Sequence, residues 1–359
     1  MTATAPANFG ARKKSAVTIT LLDGPAIAVE IPKIECLVSD IGLVAGGGAP
    51  HLGAGFGFSG KTLAFQSLAL SLAAGRPVWG AYRGRSARVL HVDMEQGDRL
   101  TRRRYQRLAA AMGIELGSLG DALSLAVMPP ISLTRDHFAA WREIMTGRDL
   151  VIVDSLRAAT AGIDENSSEI RGCLDMLGEA SEATQCRPAL IHHSRKPNKD
   201  DPGGRYAIRG SGSIYDACDC VYLFSAAKGE PVSVEQAKAR TQGDSIPDFA
   251  LVISDVEIDG DPRGGLRVQV HGHELVEERR REVAEQRHRT ELGFDCTQLR
   301  RVLAENPGIN VTDLRSAMRP AGKDRVANAL RAMRGEIEMR EERAGRTTTV
   351  RHYLRGPQS

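Results

Sequence analysis

Residues 55–62, Gly-Phe-Gly-Phe-Ser-Gly-Lys-Thr, follow the pattern G-x-x-x-x-G-K-T, and few folds can carry it. Glycines let backbone N–H groups approach phosphate oxygens closely. The lysine reaches the β- and γ-phosphates, and the hydroxyl beside it can hold Mg²⁺. The apolar stretch Leu63–Ala74 runs on from the octet, so the phosphates would also meet a helix N-terminus. Gly55, Phe58, Ser59, Gly60, Lys61, Thr62 and Leu63 are therefore the nucleotide-binding candidates, with ATP and Mg²⁺ as expected ligands.

The pattern around the octet predicts an α/β fold. Apolar runs at Ala87–Asp93, Ala122–Val127, Leu150–Asp154 and Ala189–His193 alternate with helical stretches at 98–112, 136–146 and 168–183. Such alternation implies a mostly parallel sheet covered on both faces. Runs at 218–224, 232–237, 249–254 and 266–270 predict an antiparallel extension, and residues 16–32 read as a hairpin turning at Asp23-Gly24-Pro25. The strand before the octet, 49–54, is weakly apolar, and Pro50 predicts that it starts late.

Three chain segments carry further chemistry. Val151-Ile152-Val153-Asp154 is an apolar strand ending in a carboxylate, suited to holding Mg²⁺ with Thr62. Glu95, after the strand ending Val92-Asp93, is placed to take a proton from an attacking water; an acid in a first helical turn is the plain alternative. His192-His193 end the next strand, where polar residues face the crevice of an open α/β sheet and could sense the γ-phosphate. Zinc is discounted, since adjacent strand residues point to opposite faces.

Together these motifs resemble the RecA-like hexameric ATPases, and most closely the plasmid-type RepA replicative helicases. The resemblance rests on the octet, Asp93-Met94-Glu95, Val151–Asp154 with Ser155-Leu156-Arg157, His192-His193-Ser194-Arg195-Lys196 and Arg209-Gly210-Ser211, and covers roughly residues 30–270. It implies Glu95 as catalytic base, and His193 or His192 as the link between the γ-phosphate and DNA loops. It also implies Arg104 near the adenine and Arg209 as an arginine finger acting in the neighbouring subunit's site. Lys238-Ala239-Arg240 resembles the Lys-x-Arg pair of DnaB-type helicases, so Arg240, with Lys238, is a competing finger. Loops 160–168 and 195–213 would face single-stranded DNA, the second through Lys196, Lys199 and Arg205.

The C-terminal part has a different character. Net charge is +3 overall, yet residues 296–359 alone carry 13 Lys+Arg against 7 Asp+Glu. Three short helices (297–305, 311–318, 322–334) and a hairpin (336–341, 347–354) predict a winged helix-turn-helix. Its recognition helix would present Lys323, Arg325, Arg331 and Arg334 to duplex phosphates; a docking surface for a replication protein is the alternative. The expected organisation is a disordered lead (1–15), a RecA-like ATPase domain (16–273), a charged linker helix (274–295) and the winged helix (296–355).

The six cysteines form no metal-ligand pattern and read as small hydrophobes in a reducing cytoplasm. The opening residues lack the apolar core of a signal peptide and no apolar run approaches 18 residues, so neither secretion nor membrane spanning is expected. The expectation is an ATP-dependent DNA helicase or translocase, ring-forming and, as the resemblance implies, hexameric, cytoplasmic and from a plasmid, phage or mobile element. The alternative is a non-translocating RecA-like ATPase serving as recombination mediator or regulator.

Overall fold

The computed structural model describes residues 22–31, 34–194, 208, 210, 212–226, 230–240, 246–344 and 347–355. The chain divides into two units, residues 1–35 and 36–359. In the first, the described residues hold a single turn of helix, α1 (Gly24–Ile27). It stands where the turn and second strand of the hairpin expected over 16–32 would lie, while residues 16–21 and 32 are outside the described residues. Asp23 caps the turn by accepting from Ala26 N at 3.0 Å, and Pro25 sits in its first turn, where its missing N–H costs nothing.

The second unit is built on a nine-stranded sheet in the order β11-β10-β9-β8-β3-β7-β6-β4-β5. A small ribbon, β1 (Cys36–Val38) and β2 (Leu43–Val44), precedes it. Six strands run parallel: β3 (His51–Gly55), β4 (Val89–Asp93), β5 (Leu123–Val127), β6 (Leu150–Asp154), β7 (Arg187–His193) and β8 (Cys220–Ser225). Strands β9 (Val232–Ala239), β10 (Phe249–Ile258) and β11 (Asp261–His271) extend it antiparallel. Strand β3 begins directly after Pro50, as the proline requires.

Helices cover both faces, and strand alternation sorts the core between them. Leu150 and Ile152 pack with α2 (Lys61–Ala73) and α3 (Asp98–Met112), through Phe65, Leu68, Tyr105 and Leu108. Val151 and Val153 pack on the other face against α4 (Phe138–Met145), the short α5 (Leu156–Ala159), α6 (Glu169–Thr184) and α7 (Gly212–Ala217), through Trp141, Met145, Leu174 and Leu177. Each such leucine contributes about 1.5–3 kcal/mol by leaving water. Helix α2 is apolar nearly all round and buried accordingly. It ends where Gly75 takes φ 61° and Arg76 N donates back to Ser71 O at 2.8 Å, a left-handed close that glycine permits.

Residues 273–305 form one continuous helix, α8 (His273–Glu305), so the expected boundary at 295/296 falls inside a helix. Beyond it lie β12 (Ile309–Asn310), α9 (Val311–Ala317), α10 (Lys323–Ala332), β13 (Ile337–Ala344) and β14 (Thr347–Leu354). The three strands pair in the order β12-β14-β13. A separate apolar core of Leu299, Val302, Leu303, Leu314, Met318, Val326, Ala329, Met333 and Ile337 holds this part together. Cys218 and Cys220 are buried, and the cysteines described are free thiols. Among the described residues no helix is long and apolar enough to cross a membrane.

Candidate functional site

Strand register assembles the site. Gly55 stands opposite His193, Asp154 opposite Ile191, and Asp93 opposite Asp154, so the carboxyl ends of β3, β7, β6 and β4 lie side by side. Period-2 alternation then decides which side chains meet. Asp154 follows Ile152, and His193 follows Ile191, on the face covered by α2. His192 follows Leu190 to the opposite face and is buried there. That leaves His193, not His192, beside the loop of residues 55–62.

The loop needs its glycines where the backbone crowds. A Cβ on Gly55 would lie 2.4 Å from Phe224 O, and Gly60 has φ 75° with Ile253 Cδ1 2.6 Å from where its Cβ would stand. Phe58 also takes positive φ (67°) and is fully exposed at the loop's tip. Lys61 folds over the loop, its Nζ donating to Gly55 O (2.6 Å), Phe56 O (2.9 Å) and Ser59 Oγ (3.1 Å). Burial pulls the Lys61 ammonium down to about 8, against the opposing fields of Asp154 and Glu95. Leu63 is half-buried in the first turn of α2.

Thr62 Oγ1 donates to Asp154 Oδ2 at 2.8 Å. Burial pushes the Asp154 carboxyl up to about 6, despite that hydrogen bond, and the nearby Glu95 and Asp93 charges add to the rise. Among the described residues no cationic group pairs with it, and no cluster of three His, Cys, Asp or Glu side chains could cage a metal by itself. A hydroxyl and a carboxylate of high negative potential are the hard oxygen donors Mg²⁺ takes when phosphates complete its shell. These residues fit the ion.

Asp93 has a different task. Its carboxylate accepts from the N–H groups of Glu95 (3.0 Å), Gln96 (2.8 Å) and Gly97 (3.0 Å) and from the Thr101 hydroxyl. Burial would raise its pKa, but the bonds from Thr101, Gln96 and Glu95 outweigh that and hold it low. It thus fixes the turn that delivers Glu95 and Gln96. Glu95 is exposed, with Oε2 3.9 Å from His193 Nε2.

Arg104 lies on the site side of α3, half-buried, while Arg102 and Arg103 face solvent. It donates to Gln96 Oε1, and Gln96 Nε2 in turn donates to Thr62 Oγ1 at 3.1 Å. The structure therefore ties Arg104 to the Thr62–Asp154 end. Gln96 was not anticipated from the sequence; its position next to Glu95 was the available signal.

The remaining candidates lie elsewhere. Lys238, near the end of β9, and Arg240, just past it, lie beside the start of β8, at the opposite end of the strands from their own loop of residues 55–62. Lys238 Nζ donates to Tyr215 O (2.6 Å) and sits 4.8 Å from the Tyr215 ring. Arg240 donates to Asp216 O (2.8 Å). Arg209, Lys196, Lys199 and Arg205 lie outside the described residues. Arg325, expected on a DNA-facing surface, instead makes a two-pronged ion pair with buried Asp295 (2.7 and 2.8 Å), bracing α10 on α8. Lys323, Arg331 and Arg334 are exposed.

A family profile described as an AAA domain matches residues 18–199, just over half of the chain. The chain belongs to that family. Its loop of residues 55–62, Asp154 strand and Glu95 turn all fall within the matched span of this AAA domain. Among solved structures, the chain is similar to that titled as a DnaB-like replicative helicase and its interactions with primase. Identity there is 15%, with a TM-score of 0.46, and 63% of each chain is covered. No curated protein matches.

Proposed function

We propose that this AAA-domain chain hydrolyses ATP as a helicase- or translocase-type motor on single-stranded DNA, RepA-like in its core and assembled as a ring. The observation that carries the reading is the convergence of Lys61, Thr62, Asp154 and Glu95 at one sheet edge, with His193 3.9 Å from Glu95. Lys61 and the backbone amides of its loop bind the phosphates. Thr62 and Asp154 would hold Mg²⁺, which when bound would supply positive charge to the phosphates. Glu95, open to solvent, accepts the proton of the attacking water.

His193 shares the face of the phosphate loop, and the segment after it leads into residues 195–213. Loss of the γ-phosphate changes what Glu95 and His193 face, and that change passes to the loop carrying Lys196, Lys199 and Arg205. Arg209 from a neighbouring subunit supplies the finger. Arg240 and Lys238, at the opposite end of the strands from their own phosphate loop, are the competing fingers for a neighbour's nucleotide. The C-terminal part acts as a winged helix whose exposed Lys323, Arg331 and Arg334 meet duplex phosphates. One observation favours docking on a protein there instead: Arg340 pairs with Glu338 and Arg351 with Glu342, which cancels much of the hairpin's charge.

The test is ATP turnover with and without single-stranded DNA, on the full chain and Glu95→Gln, with particle mass measured alongside. Strong stimulation in a ring-sized particle, with turnover falling at least about 100-fold in the variant, supports the motor. Slow turnover by a monomer or dimer, indifferent to DNA, would sink it in favour of an ATP-controlled regulator.

A further inference from the structure

The carboxamide of Gln96 is inserted among three groups of the site. Its Nε2 donates to Thr62 Oγ1 at 3.1 Å and lies 3.4 Å from Asp154 Oδ2, while its Oε1 accepts from Arg104. Chemistry fixes which way the amide points. A guanidinium offers donors only, so the carbonyl oxygen must face Arg104 and the NH₂ must face the two oxygens. Thr62 spends its own proton on Asp154 Oδ2 at 2.8 Å, so the amide occupies a lone pair of the hydroxyl. Donation runs one way, from Arg104 through Gln96 and Thr62 to Asp154.

Mg²⁺ would need a lone pair of the same oxygen, at about 2.0–2.1 Å in strict geometry, and the amide crowds that approach from one of the hydroxyl's two acceptor sites. An N–H aimed at the oxygen takes one of its two acceptor sites and turns a partial positive charge toward a cation arriving at the other. We propose that Gln96, oriented by Arg104, is a placeholder for the cation: it holds Thr62 and Asp154 in their binding geometry and must let go when the metal and nucleotide arrive. The proposal rests on the nucleotide-site reading above. Release has a second effect. Arg104 loses the acceptor that anchors it and becomes available to an anionic group of the substrate, so metal arrival and arginine availability are coupled.

The experiment is equilibrium binding of Mn²⁺ to the full chain with a non-hydrolysable ATP analogue, read from the electron paramagnetic resonance signal of free Mn²⁺. Replacing one net hydrogen bond with none corresponds to about a three- to tenfold change in affinity. Gln96→Leu is expected to bind Mn²⁺ tighter by that factor, measured against the variant's own metal-free affinity for the analogue, which the freed Arg104 is expected to raise. Arg104→Met, which frees the amide to rotate, shifts Mn²⁺ binding in the same direction by less, and carries the test if Gln96→Leu melts early. Unchanged or weaker Mn²⁺ binding in both variants overturns the placeholder. Failure of the wild type to bind the analogue at all overturns the nucleotide-site reading itself, and is seen before any variant is made.

Discussion

Asp154 and Asp295 are each only 2% exposed, and they could hardly be treated more differently. Asp295 receives both prongs of Arg325. Asp154 receives a threonine hydroxyl and a glutamine amide, with further carboxylates nearby. A buried charge is tolerated when paired and costly when not. The C-terminal part settles that cost within itself, so its carboxylate is a fastening. The carboxyl ends of the strands offset it only in part, through the nearby Lys61 charge, and a cation would supply more.

The comparison breaks most visibly at Asp154. Asp154→Asn is expected to cut turnover by at least about 100-fold, while leaving thermal stability unchanged or raised, because a buried charge compensated only in part has been removed. A fall in stability would mean that Asp154 is a fastening too. At the other carboxylate, Arg325→Met strands Asp295 and should cost roughly 2–4 kcal/mol in urea unfolding, with turnover per folded molecule unchanged. Asp295→Asn should cost less, because Arg325 is 40% exposed and can turn to water.

Buried bases extend the contrast to pH. Burial holds His51 down to about 3, with Arg187 adding to it, and His91 down to about 4. A folded pKa below the unfolded 6.5 means the unfolded chain binds more protons. Stability from these neutral rings is therefore complete above pH 6.5 and lost as pH falls toward 4. His51→Leu should flatten that fall by roughly 1–3 kcal/mol in unfolding measured from pH 7 to 4.5.

The smallest expected effects lie on α10. Arg331→Ala and Arg334→Ala should each weaken duplex binding a few-fold and lower the salt dependence by about one unit, whatever the DNA sequence. Arg325→Lys should leave that slope alone. Duplex binding that ignores all three changes would point to a protein partner for this surface.

Much of this was legible because it is local or periodic. The octet announces its own loop, and two-residue alternation from Ile152 to Asp154 and from Ile191 to His193 selects the side chains that meet α2. What escaped depends on distant pairing. Nothing near Arg325 announces that Asp295, 30 residues earlier, will claim it. Gln96 gains meaning only where β4 lies beside β6, which sequence order hides. The reverse turn expected at 23–25 gave way to a cap, because Asp23 and Pro25 serve the first turn of a helix as readily as a reverse turn. The expected division at 295/296 lies within one helix, because a polar stretch of good helix formers continues into an apolar-striped one.

That continuity has a mechanical side. A helix of 33 residues is about 50 Å long, and it carries phase as well as distance. Each residue turns the axis by about 100°, so one inserted residue in its solvent-exposed stretch would swing whatever follows a quarter of the way round and more, while seven would nearly restore the original bearing. A flexible tether would forgive either change. A rod of this kind works as a crankshaft does: what it connects is kept in step by angle, and spacing alone cannot substitute for it.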